Sequence, residues 1–175
     1  LWQGPTTAQL DALRAAGMQT IATFNGVGEA YDQTLPDGRP VIVGWLMQDE
    51  PDNAQPDGQG GYGPPVDPAV VQAKYNEWKT YDDTRPIFLN LGQGIAWDNG
   101  TWYGQGGGIT PDDDYPQYIL GSDMISFDIY PMSSGDAPVA GDAWRVALGV
   151  DRLTQYARQD HLVWAFIETG DINAN

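Results

Sequence analysis

Five short apolar runs, separated by polar stretches, set the plan of this chain: Met18–Phe24, Val41–Met47, Pro86–Leu91, Met124–Tyr130 and His161–Ile167. The runs are continuously apolar rather than alternating. That is the pattern of strands covered on both faces, as in a parallel sheet. Helical spacing lies between them. Thr6 or Thr7 caps a short helix with Leu10, Leu13 and Ala16 on one side and Gly17 closing it. Asp67-Pro68 opens a second, in which Val71, Tyr75 and Trp78 recur at intervals of four and three, up to about Asp82. Tyr115–Leu120 reads as a short helix. Asp142 caps a longer one that lines up Val146, Gly149, Val150, Leu153 and Tyr156. Strand–helix alternation predicts an α/β fold. With no repeat and no shift of composition, residues 1–175 read as a single domain.

The loops are unequal on the two ends of the strands. Residues 53–66, 92–111 and 131–141 follow strands and are long and rich in Gly and Pro. Connections into strands are short, such as Asp83-Thr84-Arg85 and Gly121-Ser122-Asp123. In α/β folds the functional face lies at the C-terminal ends of the strands. Two carboxylates stand there. Glu50 follows the second apolar run and Glu168 the fifth, each beside a rigid or small neighbour, Pro51 or Thr169-Gly170. Two carboxylates in one cleft can divide acid and base work when their surroundings push their pKa values apart. In a glycosidase one protonates the leaving oxygen while the other attacks the anomeric carbon or activates water.

Composition narrows the chemistry further. Among 175 residues there are 8 Lys and Arg against 24 Asp and Glu, for a net charge of −16, with one His and no Cys. Such a charge repels phosphate backbones and polyanionic glycans. A disulfide framework, a thiol nucleophile, a Cys-ligated metal and a multi-histidine metal site are all excluded. No cofactor or metal is expected. No apolar run approaches the roughly 20 residues a membrane helix needs. Seven Trp and nine Tyr suit a surface that stacks on neutral rings. The composition is compatible with secretion.

Three segments carry a resemblance. Val43–Pro51, which contains Gln48-Asp49-Glu50-Pro51, resembles the fourth-strand motif of the (β/α)8-barrel glycoside hydrolases that place catalytic glutamates after strands four and seven. Ser126–Pro131 is similar to their sixth strand, and Trp164–Gly170 to their seventh. The similarity spans strands three to seven of such a barrel. The resemblance implies a retaining hydrolase of β-linked glycans, cellulase-like or a related β-glycanase or β-glycosidase. It makes Glu50 the general acid/base and Glu168 the nucleophile, with the Tyr130 hydroxyl orienting Glu168. Where this family usually has Asn before the acid/base, Asp49 stands here. It can accept from a sugar 2-hydroxyl but not donate, and its charge raises the pKa of Glu50. A retaining pair is expected about 5–5.5 Å apart, an inverting pair about 6.5–9.5 Å.

A full barrel takes around 250 residues, so the resemblance implies a partial barrel or a fragment, truncated at both ends. An incomplete barrel would expose sheet edges and favour self-association. Trp97, Trp102 and Tyr103 in the Gly-rich loop are candidate sugar platforms, with a loop folded over its own aromatics as the alternative. Trp45 is a further candidate contact, although its place within a strand equally fits core or barrel lining. Asp49, Asp52 and Asp57, or Asp112–Asp114, supply oxygen ligands of the kind calcium takes; Asp112–Asp114 reads more simply as the charged start of a helix. Asp128, mid-run among apolar residues, needs a partner, Arg85 or Arg145. His161 begins a strand on the face away from the long loops and reads as structural. Set against catalysis by this chain are two other functions: a non-catalytic carbohydrate-binding protein or inactive barrel remnant, and a truncated barrel that serves assembly.

Overall fold

A computed structural model describes residues 5–24, 31–97, 111–134 and 139–169. The fold is α/β, a five-stranded parallel sheet interleaved with helices. In chain order the elements are α1 (Thr7–Ala15), β1 (Thr20–Thr23), β2 (Ile42–Leu46), α2 (Pro68–Tyr81), β3 (Ile87–Leu91), a 3-10 turn (Gln93–Ala96), α3 (Pro111–Ile119), β4 (Met124–Phe127), α4 (Trp144–Tyr156) and β5 (Leu162–Val163). The strands lie side by side in the order β1-β2-β3-β4-β5. The winding therefore never reverses, unlike a doubly wound sheet, whose order turns back at a switch point.

Local chemistry accounts for the helix ends. Thr6 caps α1 in a reciprocal capping box with Gln9, and Gly17 leaves it at a φ of 68°. Asp67 caps α2 through the Ala69 N–H, with Pro68 in the first turn. Two boundaries differ from the sequence expectation. Helix α3 begins at Pro111 rather than near Tyr115, in agreement with Asp112–Asp114 as the start of a helix. Helix α4 has Ala143 as its cap and no side-chain cap bond. Asp142 instead pairs with Arg145, Oδ2 to Nε at 3.3 Å, so its carboxylate is engaged away from the helix N–H groups.

The sheet has two unlike faces. On one, Trp45, Met47, Leu89, Leu91, Ile125 and Phe127 pack against Leu10 of α1, Val71 and Trp78 of α2, Tyr115, Tyr118 and Ile119 of α3, and Leu153 of α4. On the other, a smaller cluster joins Leu46, Phe88 and Met124 with Ile21 and Phe166, and the Trp164 ring meets Phe88 edge-on at 5.7 Å. Burying a side chain such as Phe88 stabilises by roughly 1.5–3 kcal/mol. Side chains alternate along a strand, so Asn90 continues the Phe88 face, and Ser126 and Asp128 continue the Met124 face. That face is thus apolar low in the sheet and polar at the C-terminal ends.

Strands β4 and β5 are shorter than their apolar runs. Among the described residues strand β5 pairs with β4 alone, through Leu162 N–H to Asp123 and Trp164 N–H to Ile125. Glu168 therefore stands five residues beyond the strand, not at its tip. His161 is structural as expected. Its Nδ1 accepts from the Arg158 N–H at 2.9 Å and its Nε2 meets the Ser122 carbonyl at 3.0 Å.

Gly149 of α4 lies against the Phe127 ring; a Cβ there would come within 2.3 Å of it. Alanine normally favours a helix over glycine by about 1 kcal/mol. Here overpacking of about 1–3 kcal/mol outweighs that gain. Gly149→Ala is expected to lower the urea midpoint at unchanged slope; a raised midpoint would show that α4 moves freely off the sheet.

Candidate active site

The loop after β2 is pinned from below. Asp52 is fully buried, with Oδ1 accepting from the Gly92 N–H at 2.8 Å and Oδ2 from the Tyr115 hydroxyl at 2.9 Å. One carboxylate thus ties the β2 loop to the start of the β3 loop and to α3. Asp52, expected only as a calcium ligand, is instead a tie between segments. Asp49 is bonded by Asn90 Nδ2 at 3.0 Å, and Asp57 accepts from the Gln59 and Gly61 N–H groups at 2.7 and 2.9 Å. These three acids serve separate turns, and among the described residues no group of three or more His, Cys, Asp or Glu could hold a metal ion.

Glu50 sits in this pinned loop with a φ of 42°, the one non-glycine residue with positive φ among the described residues. Such a conformation costs of order 1–3 kcal/mol and needs its surroundings to hold it. They do. Its N–H donates to the Asn90 carbonyl at 3.0 Å, and its carbonyl accepts from Asn53 N–H at 3.0 Å and Gln55 Nε2 at 3.2 Å. At the carboxyl, Asn53 Nδ2 donates to Oε2 at 2.8 Å. Asp128, the first residue after β4, meets the same carboxyl side chain to side chain. Burial first, then Asp128, Asp52 and Asp49, push the Glu50 carboxyl up to about 8.

Glu168 is in the opposite state. Its Oε2 accepts from the Met132 N–H at 2.9 Å. The Ser133 hydroxyl leads the causes that hold it below its ordinary value, with the Met132 and Ser133 N–H groups adding to it. The two glutamates therefore touch the same β4 loop, Glu50 at Asp128 and Glu168 at residues 132–133.

Several expected roles change. Tyr130 does not orient Glu168: its hydroxyl donates to Asp128 Oδ2 at 2.8 Å. Asp128 takes neither expected arginine. Arg85 is engaged by Asp82 and Asp32, at 3.0 and 2.7 Å, and Arg145 by Asp142. Trp45 is no substrate contact; it is fully buried on the helix-covered face, its Nε1 donating to Asp82 Oδ2 at 2.7 Å. Trp97 is half-buried against the core, with the Arg145 guanidinium 4.3 Å from its ring centre, so one face of the ring is covered by that cation. Asp49 is exposed and lines a cavity of about 580 Å³ with Thr23, Phe24, Met47, Lys74 and Trp78. Trp102 and Tyr103 lie outside the described residues.

No protein-family model, no curated protein and no solved structure matches this chain.

Burial raises the Asp52 carboxyl to about 6 from an ordinary 3.8, against the pull of its donors. A raised carboxyl pKa means the folded state holds the extra proton, so stability declines as pH climbs through that window. Tyr115→Phe removes one donor from the buried carboxylate. Its expected cost is about 1–3 kcal/mol, larger at alkaline pH, where Asp52 is ionised, than at mildly acid pH. Urea unfolding of both proteins at the two pH values measures it, and an equal loss at both would show that the hydroxyl does not act on the charge.

Proposed function

We propose that this chain is the catalytic unit of a retaining glycoside hydrolase acting on β-linked glycans, with Glu50 as general acid/base and Glu168 as nucleophile. One observation carries the proposal: the two carboxyls are driven to opposite protonation states by their surroundings. Glu50, at about 8, keeps its proton at neutral pH. Glu168, bonded by the Met132 N–H and held below its ordinary value, is ionised at the same pH. A pair so divided is what acid and nucleophile need.

The chemistry follows from those states. Glu50 gives its proton to the leaving glycosidic oxygen while Glu168 attacks the anomeric carbon, forming a glycosyl ester. Glu50, now a carboxylate, takes a proton from the water that hydrolyses that ester. Other features support the same function. Both residues follow strands at the C-terminal end of a parallel sheet. The sheet is wound in one direction, as the wall of a (β/α)8 barrel is. Asp49, exposed beside Glu50, is the group we assign to a sugar hydroxyl. The predominantly acidic surface favours a neutral glycan over a polyanionic one.

The proposal predicts a pH profile and a pair of variants. The acid must be protonated and the nucleophile ionised. On aryl β-glycosides and soluble β-glycans, kcat/KM should therefore hold through neutrality, fall above about pH 8 with the ionisation of Glu50, and fall on the acid side only below the ordinary carboxylate range. Glu50→Gln should lower turnover by about 10²–10⁴ on substrates with poor leaving groups. With an activated leaving group, added azide should restore turnover and yield a β-glycosyl azide. Glu168→Gln should lose turnover on both substrate types. Folded wild-type protein without turnover on any β-glycan, or a Glu168→Gln variant as active as the wild type, would overturn the proposal.

A further inference from the structure

Asp128 raises a question of protons. Its Oδ2 is satisfied by the Tyr130 hydroxyl. Its Oδ1 is buried and meets no N–H or hydroxyl among the described residues. The group that does meet Asp128 is the Glu50 carboxyl, itself steadied by Asn53 on Oε2. Two carboxylates cannot remain in side-chain contact in a half-buried site, because their repulsion is not screened there. One proton between them removes the repulsion and gives Asp128 Oδ1 its missing donor.

We infer that Asp128 is a positioning residue whose buried, unpartnered Oδ1 accepts from the Glu50 carboxyl O–H, while the Tyr130 hydroxyl fixes the Asp128 side chain through Oδ2. Resting on the glycosidase function proposed above, the inference assigns Asp128 a part in the cycle. Tyr130 donates to Asp128 Oδ2 at 2.8 Å, which leaves Oδ1 to accept from the proton on Glu50. When Glu50 passes that proton to the leaving oxygen, its O–H bond breaks, the leaving group's O–H bond forms, and two carboxylates face each other. The ionised Glu50 is then a stronger base than an isolated glutamate. The proton it takes from the attacking water restores the original pair. Asp128 ends the cycle unchanged and touches no substrate. The other charges facing Glu50 are Asp52 and Asp49, both acidic, so they work in the same direction as Asp128.

The proton on Glu50 can be followed without substrate. The probe is carbon-13 NMR of protein labelled at the Glu and Asp carboxyl carbons, followed across the pH range. In the wild type Glu50 should change state near pH 8. Asp128→Asn should lower that midpoint by about one pH unit or more. A Glu50 midpoint in the ordinary carboxylate range in the wild type, or one unmoved in folded Asp128→Asn, would overturn the inference.

Should Asp128→Asn not fold, Glu50→Gln gives a second measurement. The glutamine amide can donate to Asp128 as the carboxyl proton does, but it cannot be lost at high pH. Its melting temperature relative to the wild type should rise from mildly acid to alkaline pH, and a constant difference would overturn the inference. The two proposals fail separately. Shifts as described without glycan turnover would remove the hydrolase and keep the pair. Turnover without the shifts would do the reverse.

Discussion

A carboxylate with no exposed surface, that of Asp52, is the constraint on which the site depends. Burying it requires donors, and the fold supplies the Gly92 N–H and the Tyr115 hydroxyl. Those donors come from a loop and a helix far along the chain, so satisfying one charge fixes three segments together. Glu50 is two residues away. Its positive φ would relax if the loop were free to turn over. Held at Asn90, Asn53 and Gln55, it stays in a strained conformation with its carboxyl beside Asp128. Asp52 holds the loop and also adds to the field that keeps Glu50 protonated.

The sheet prepares the ground for this. Low on one face, Leu46, Phe88 and Met124 form a dry cluster. One step up each strand, the same side chains' positions become polar. Ser126 Oγ donates to Asn90 Oδ1 at 2.6 Å, and Asn90 Nδ2 donates on to Asp49. Asn90 and Ser126 are both almost wholly buried, so each must be bonded. This short row links β4, β3 and the β2 loop in register. A strand slip of one residue would exchange that row with apolar neighbours, so the polar row also fixes strand register.

What could be read from the sequence followed local chemistry. All five apolar runs contain strands in parallel order, and the three central ones are buried almost throughout as consecutive apolar positions require, whereas the fifth run leaves Leu162, Trp164 and Ile167 exposed. Thr6, Gly17 and Asp67 marked helix ends through bonds to residues two or three away. Glu50 and Glu168 stood out as polar residues just past apolar runs. The parts that were not legible depend on contacts across the fold. Asp52 is fully buried because Tyr115 and Gly92 reach it, and nothing in its neighbours along the chain says so. Asp128 was legible as a buried acid in need of a partner. Its partners proved to be an acid and a phenol rather than an arginine, since Arg85 and Arg145 are held by closer aspartates. Trp45 could not be assigned to a face without knowing which side of β2 the helices cover.

The place of Tyr130 alters how the site divides its labour. Bonded to Glu168, its hydroxyl would have held that carboxyl ionised. Glu168 does not need it, because the Ser133 hydroxyl and two backbone N–H groups already lower its carboxyl. The hydroxyl goes instead to Asp128, whose Oδ2 it bonds at 2.8 Å. The β4 loop therefore serves both glutamates with different chemistry. Asp128 and Tyr130 offer negative charge at one end, which keeps a proton on Glu50. Residues 132–133 offer donors at the other, which keep one off Glu168. A few residues of one loop thus impose opposite states on two identical side chains. That separation is set by the order of acceptor and donor groups along the loop and does not depend on any intrinsic difference between the glutamates.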